Sequence, residues 1–222
     1  MPGVKHSSIQ PLITACLSAV IAVYATSVLA EGKAPEKFIP PEWKIEDTVR
    51  GDLTGDNRED IVFVLIGKRN KSEHAGDDRP RMMMVLMQQS DGTFEQVGLN
   101  NKLLLCGECF GAMGGGPEIS INKNVLIVDQ LTGSRFTDQG IWRFRFDSQA
   151  QKMRLIGLDI KHQDRGNGSG TSESTNYLTG KRITESHEYN EKRHESVLSK
   201  LSMTTVTVPK IFLEQATSEG LQ

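Results

Sequence analysis

Apolar residues recur along this chain in short runs separated by turn residues: 61–66, 82–87, 103–105, 119–121, 125–128, 141–146 and 155–160. Runs this short suit strands better than helices, and the rhythm predicts an antiparallel β protein. Alternation is clearest at 141–146, where Trp142, Phe144 and Phe146 fall on one side of an extended chain and Arg143 and Arg145 on the other. One face of that strand is expected in the core and the other in water. The two arginines are accordingly read as a solvated face rather than an anion site. Consecutive strand residues point to opposite faces, so Met82, Met83 and Met84 are expected to pack in the core and not to converge on a soft metal.

Turn chemistry separates the runs. Ser90-Asp91-Gly92-Thr93 and Asn122-Lys123-Asn124 are hairpin signals, because Gly and Asn tolerate the positive φ of tight reversals. Residues 164–175, centred on Gly166-Asn167-Gly168-Ser169-Gly170, read as a mobile polar loop; a phosphate cradle would need a helix to follow it, and none is expected. Leu178-Thr179-Gly180-Lys181 predicts another reversal. The charged stretch 185–200 is open to a helical or an irregular reading, and 203–208 is β-branched enough for a strand.

The amino terminus carries Lys5 ahead of a stretch, 11–29, that is nearly free of charge and ends in Val28-Leu29-Ala30. That pattern predicts a secretory signal peptide, residues 1–30, cleaved after Ala30. An uncleaved amino-terminal helix and a lipoprotein box at Cys16 are the alternatives. Residues 31–41, with Pro35, Pro40 and Pro41, read as a linker or extended arm. A single β-rich domain is expected over 42–215, with a frayed tail at 216–222.

The chain carries a formal net charge of −2, and Lys5 is the only charged residue of the leader. A slightly acidic mature chain argues against nucleic acid as a partner. Loss of Cys16 with the leader leaves Cys106 and Cys109, an even pair suited to an oxidising compartment. The expected location is periplasmic or secreted, with no stable membrane span after cleavage and with an unknown protein or envelope ligand as partner.

The strongest local signal is the stretch from Gly51 to Asp60, which runs straight into an apolar strand. Asp52, Thr54, Asp56 and Asp60 occupy relative positions 1, 3, 5 and 9 of a tight loop, where side-chain oxygens turn toward one hard cation, and Arg58 at position 7 would offer its carbonyl. Calcium, in a structural role, is the expected ligand. Asn57 stands where such loops usually have Gly, Thr54 is a poorer ligand than a carboxylate, and Phe63 replaces the bidentate glutamate of a helix-loop-helix hand. An acidic turn that caps its own amides is the competing reading.

Cys106-Gly107-Glu108-Cys109 is followed by glycines and Pro117, so no helix is available to stabilise a thiolate. A local structural disulfide is expected, with redox chemistry and half of a zinc site as alternatives. On a helix His187 and His194 would share one face and could bind a transition metal, but they are read as part of a polar helix or hairpin surface. No neighbourhood in the sequence supplies a nucleophile with its base.

Several segments in order, Phe38-Ile39-Pro40-Pro41-Glu42-Trp43-Lys44, the acidic loop, 103–109, 142–146, Leu155-Ile156-Gly157 and Asn176-Tyr177-Leu178-Thr179-Gly180, resemble a family of secreted bacterial proteins of unknown function. The resemblance spans roughly residues 38–183. The acidic loop alone resembles those of integrin-type (FG-GAP/VCBS-like) repeat proteins. There is one copy of the loop, so the expected fold is a compact antiparallel sheet or sandwich and not a propeller. The resemblance implies a fold and an exported location but no activity. The expected function is a binding or structural protein of the envelope or periplasm with no catalytic activity. The alternatives are a thiol-disulfide enzyme using Cys106 and Cys109, and an inhibitor or immunity-type protein that blocks a partner.

Overall fold

A computed structural model describes residues 34–68, 79–107, 109–110, 116–219 and 221. The predicted signal peptide 1–30 lies outside the described residues, as does the glycine run 111–115. The fold is mainly β, with two antiparallel sheets built as successive neighbours along the chain. The first has the order β1 (Trp43–Gly51), β2 (Asp60–Gly67), β3 (Arg81–Gln88) and β4 (Phe94–Asn100). The second runs from β5 (Glu118–Asn122) through β6 (Val125–Gly133), β7 (Phe136–Asp147), β8 (Lys152–Asp164), β9 (Gly170–Asn176) and β10 (Lys181–Asn190) to β11 (Glu195–Thr205). No helix among the described residues is long and apolar enough to cross a membrane.

β2 and β3 are buried on both faces, which is why they read as continuous apolar runs. Val62, Val64, Met83, Val85 and Met87 pack against Leu126, Val128, Trp142, Phe144, Met153 and Leu155 of the larger sheet. The opposite face gathers Ile61, Phe63, Leu65, Met82, Met84, Leu86 and Phe94, against which Phe38, Ile39 and Trp43 pack. The methionines thus divide between two layers, as strand alternation requires.

Several expectations change. The arm before β1 is no loose linker: a 3-10 turn at Pro35–Phe38 carries Phe38 and Ile39 onto the sheet. Of the expected frayed tail 216–222, the described residues 216–219 and 221 are anchored, since Ala216 and Leu221 are buried in the main core. Asn100 explains the anchoring, because its side-chain amide donates to the carbonyl oxygens of Leu213 and Ala216. The segment 103–105 is irregular rather than a strand, and it stays buried because the Gln130 amide accepts from Leu105 N at 2.8 Å and donates to the Leu103 carbonyl at 2.9 Å. The polar tract expected as one loop contains β9, and 185–200 is the hairpin of β10 and β11. A polar strand of Gly, Thr, Ser and Glu has no apolar alternation to reveal it, and its order comes from the ladder on both sides.

The larger sheet outgrows the smaller one. β9, β10 and β11 pack on their sheet neighbours and have no more than incidental contact with the four-stranded layer. Among the described residues that end of the molecule is a single layer of sheet, with β9 and β10 half-buried and β11 mostly exposed.

Candidate functional site

The acidic loop folds around its own amides. Asp52 accepts from Thr54 N at 3.0 Å, Gly55 N at 2.6 Å and Asn57 N at 2.9 Å. Gly55 (φ 85°) and Asn57 (φ 62°) supply the left-handed turns that aim those amides inward. Asp60, at the start of β2, is buried and joins two elements: Leu53 N donates to one oxygen at 2.8 Å and Gln88 N of β3 to the other at 3.0 Å. Asp56 is held by the guanidinium of Arg58, whose Nε also donates to the Gln88 carbonyl at 2.8 Å. Asn124, in the β5–β6 turn, donates from its side chain to the Asp52 carbonyl at 2.8 Å and ties the loop to the second sheet.

Electrostatics follow this geometry. Burial, the largest single influence on Asp52, works to raise its pKa, but the amides of Asn57, Gly55, Thr54 and Asp56 together outweigh it and the carboxyl is held below its ordinary value. Asp60 is pushed up, first by burial and then by the charges of Asp56 and Asp52, against the pull of the Leu53 and Gln88 amides. With Asp60 committed to two amides, the donors left for a hard cation are Asp52, the Thr54 hydroxyl, Asp56 and the Arg58 carbonyl. Among the described residues no three His, Cys, Asp or Glu side chains are gathered as a metal cage.

Cys106 and Cys109 form a disulfide with a Cα–Cα distance of 5.0 Å. Sequence reasoning missed the group that holds this loop. Arg81 is buried, donates from Nη1 to the carbonyls of Leu105 at 3.1 Å and Cys106 at 2.7 Å, and lies over the Phe110 ring at 5.2 Å. Its fork is closed by Glu46, with Nη2 to Oε1 at 2.6 Å and Nε to Oε2. A basic residue ahead of three methionines looks like a strand end, and nothing in the sequence pairs it with an acid thirty-five positions earlier.

The third region is the overhanging sheet. A hollow of about 450 Å³ on it is lined by Lys161, His162, Gly170, Ser172, Glu185 and His187, among others. Gly170 sits in register between Gln163 and His187, and a Cβ there would stand 2.1 Å from the His162 carbonyl oxygen, so glycine is what lets the strands approach. His162 Nδ1 faces its cross-strand partner Asp138. His187 lies in β10 and His194 in the β10–β11 turn, so they belong to a hairpin and not to one helix face. Among the described residues no serine or threonine hydroxyl is hydrogen-bonded to a histidine, and Ser196 at the rim gives its hydroxyl to the Gly168 carbonyl at 2.8 Å. On the same layer, Leu198, Leu201 and Met203 of β11 are exposed by 50–61%.

Comparison with protein-family models, with curated proteins and with solved structures returns no match to this chain.

Proposed function

We propose that this chain is an exported binding protein of the envelope or periplasm that works by presenting the single-layer end of its larger sheet to a partner protein. The observation that supports this reading is the apolar stripe of Leu198, Leu201 and Met203 on a layer that the four-stranded sheet does not reach. A second copy paired strand to strand along β11 is a poor occupant. β11 is an edge strand, but Ser199 is an extra residue between Leu198 and Lys200, and a bulge beside a lysine is a device that blocks edge-to-edge pairing. A different protein laid on the face of β10 and β11 meets neither obstacle. The acidic loop serves this role indirectly, as the staple that launches β2, and calcium at Asp52 and Asp56 would reinforce it.

The test is a crosslinked capture from envelope extract, run in parallel with the Leu198→Ser, Leu201→Ser, Met203→Ser triple variant. One saturable, stoichiometric partner should be held by the wild-type chain and lost by the variant, whose melting temperature stays unchanged. Equal capture by both chains would remove the stripe from the proposal. Amino-terminal sequencing of the exported chain should find Glu31 first.

A further inference from the structure

Arg145 of β7 and Arg154 of β8 are direct cross-strand partners. Phe144, Met153 and Leu155 beside them are buried in the core, so alternation turns both arginines to the outer face of the larger sheet. Side chains so placed start about 5 Å apart at Cβ, and like charges there repel. Arginine keeps its charge at every pH a protein meets.

Other arginines on this sheet have counterions. Arg143, two residues earlier on the same face, is bound to Asp159 at 2.7 Å; Arg135 is bound to Asp164 at 3.0 Å and Arg182 to Glu173 at 3.2 Å. The side chains of Arg145 and Arg154 have no ion pair or hydrogen bond with any described residue; Nε of Arg154 is shielded from solvent, which leaves the terminal nitrogens of its guanidinium as the donors that face the surface. Two uncompensated guanidinium groups side by side present converging N–H donors that suit an oxyanion.

The surroundings fit that ligand. The two arginines line a hollow of about 130 Å³ with Phe146, Asp147, Ile156 and Leu178. A water molecule takes about 30 Å³, so there is room for an ion and its bridging waters. Asp147 does not fill the role itself, because Lys210 Nζ holds it at 2.7 Å and the amides of Gln149 and Ala150 hold it at 3.1 Å. Lys152, in register with Asp147, is directed to Glu214 at 3.7 Å.

We propose that Arg145 and Arg154 form a binding site for an oxyanion, a phosphate, sulfate or carboxylate group bridged between the two guanidiniums. A free ion and the anionic head of a larger molecule present the same chemistry to the pair. The free ion is represented by inorganic phosphate and the larger molecule by phenyl phosphate, whose ring would lie against Ile156 and Leu178.

The intact chain is titrated with each probe against sodium chloride at matched ionic strength. Melting temperature is one readout and the arginine Nε–Hε resonances are the other. The expected result is saturable stabilisation, a shift of the Arg154 Nε–Hε resonance, and affinity weakened at least about tenfold in Arg145→Ala and in Arg154→Gln. Arg50→Ala, at an exposed arginine already paired with Glu59, should bind as the wild type does. Tighter binding of phenyl phosphate identifies the head of a larger molecule, and equal binding identifies the free ion. A response no greater than that to chloride, an Arg154 resonance that does not move, or variants that bind like wild type would overturn the site.

Discussion

Glu46 closes on Arg81 because Glu46 is the extra residue of a bulge in β1. The register steps from Ile45 opposite Leu65 to Asp47 opposite Val64, leaving Glu46 unpaired and free to aim its carboxylate over β2 to the start of β3. The guanidinium it meets then carries the Leu105 and Cys106 carbonyls, so one bulge in the first strand positions the disulfide loop. Such forked pairs combine geometric specificity with charge.

Removing one partner of that pair should be severe. Glu46→Ala leaves a buried guanidinium with carbonyl partners only; because the Glu46 side chain itself is partly exposed, the expected loss is about 1–3 kcal/mol in urea unfolding. Replacing both residues by apolar ones, Glu46→Leu with Arg81→Met, should recover most of it. A single variant as stable as wild type would show that Arg81 does not depend on Glu46.

Gly140 and Trp142 make a second prediction. They lie on the same face of β7, and a Cβ on Gly140 would stand 2.4 Å from the indole ring. Gly140→Ala must therefore displace Trp142, which is buried at the centre of the core. Overpacking of this kind costs about 1–3 kcal/mol. Urea unfolding gives the magnitude, and a red shift of tryptophan emission reports the displaced ring.

The legible part of this fold was the part written in apolar alternation. β2, β3 and β5 to β8 follow runs that burial imposes on the sequence, and the I′-like turn at Lys123 and Asn124 (φ 49° and 62°) follows from its turn residues. β1, most of β9 and the β10–β11 hairpin were not legible, because strands with few buried apolar side chains carry no apolar alternation and are held by ladder hydrogen bonds instead. The acidic loop was visible as a turn, but its hydrogen-bond partners were not: the Gln88 amide that completes Asp60 comes from another strand. Arg154 beside Arg145 depends on strand register, which no local pattern states. Arg143, grouped with Arg145 by alternation, is neutralised by Asp159 on the next strand.

Acid acts on the fold with opposing signs at different carboxylates. Asp164 is held below its ordinary 3.8 first by the Arg135 side chain and then by the Gly166 amide, and Asp147 by Lys210 and then the Ala150 amide. A lowered folded pKa gives stability that is present above 3.8 and is lost as pH falls through the folded value. Asp60 runs the other way, since its raised pKa gives a contribution present below 3.8 that disappears as pH rises through the folded value. In a titration of melting temperature, the difference between wild type and Asp164→Asn should therefore shrink below pH 3.8, while the difference from Asp60→Asn should grow. Parallel curves would remove both assignments.

Arg58 and Asp60 decide how far the loop between them depends on metal. Asp60→Ala deletes acceptors for two amides that burial denies to water, so it should destabilise by about 1–3 kcal/mol for each amide left unsatisfied, with or without calcium. Calcium, in contrast, must compete with the Arg58 guanidinium for Asp56. Extracellular calcium modules bind in roughly the 10⁻⁴–10⁻³ M range, and competition of this kind belongs at the weak end. Millimolar calcium should raise the melting temperature of wild type slightly relative to chelator, and that of Arg58→Ala more, because Asp56 is released. Asp52→Asn should abolish the response in both backgrounds. A wild-type response that Arg58→Ala leaves unchanged would mean that calcium does not draw on Asp56. A loop indifferent to calcium in every variant would be held by its amides alone.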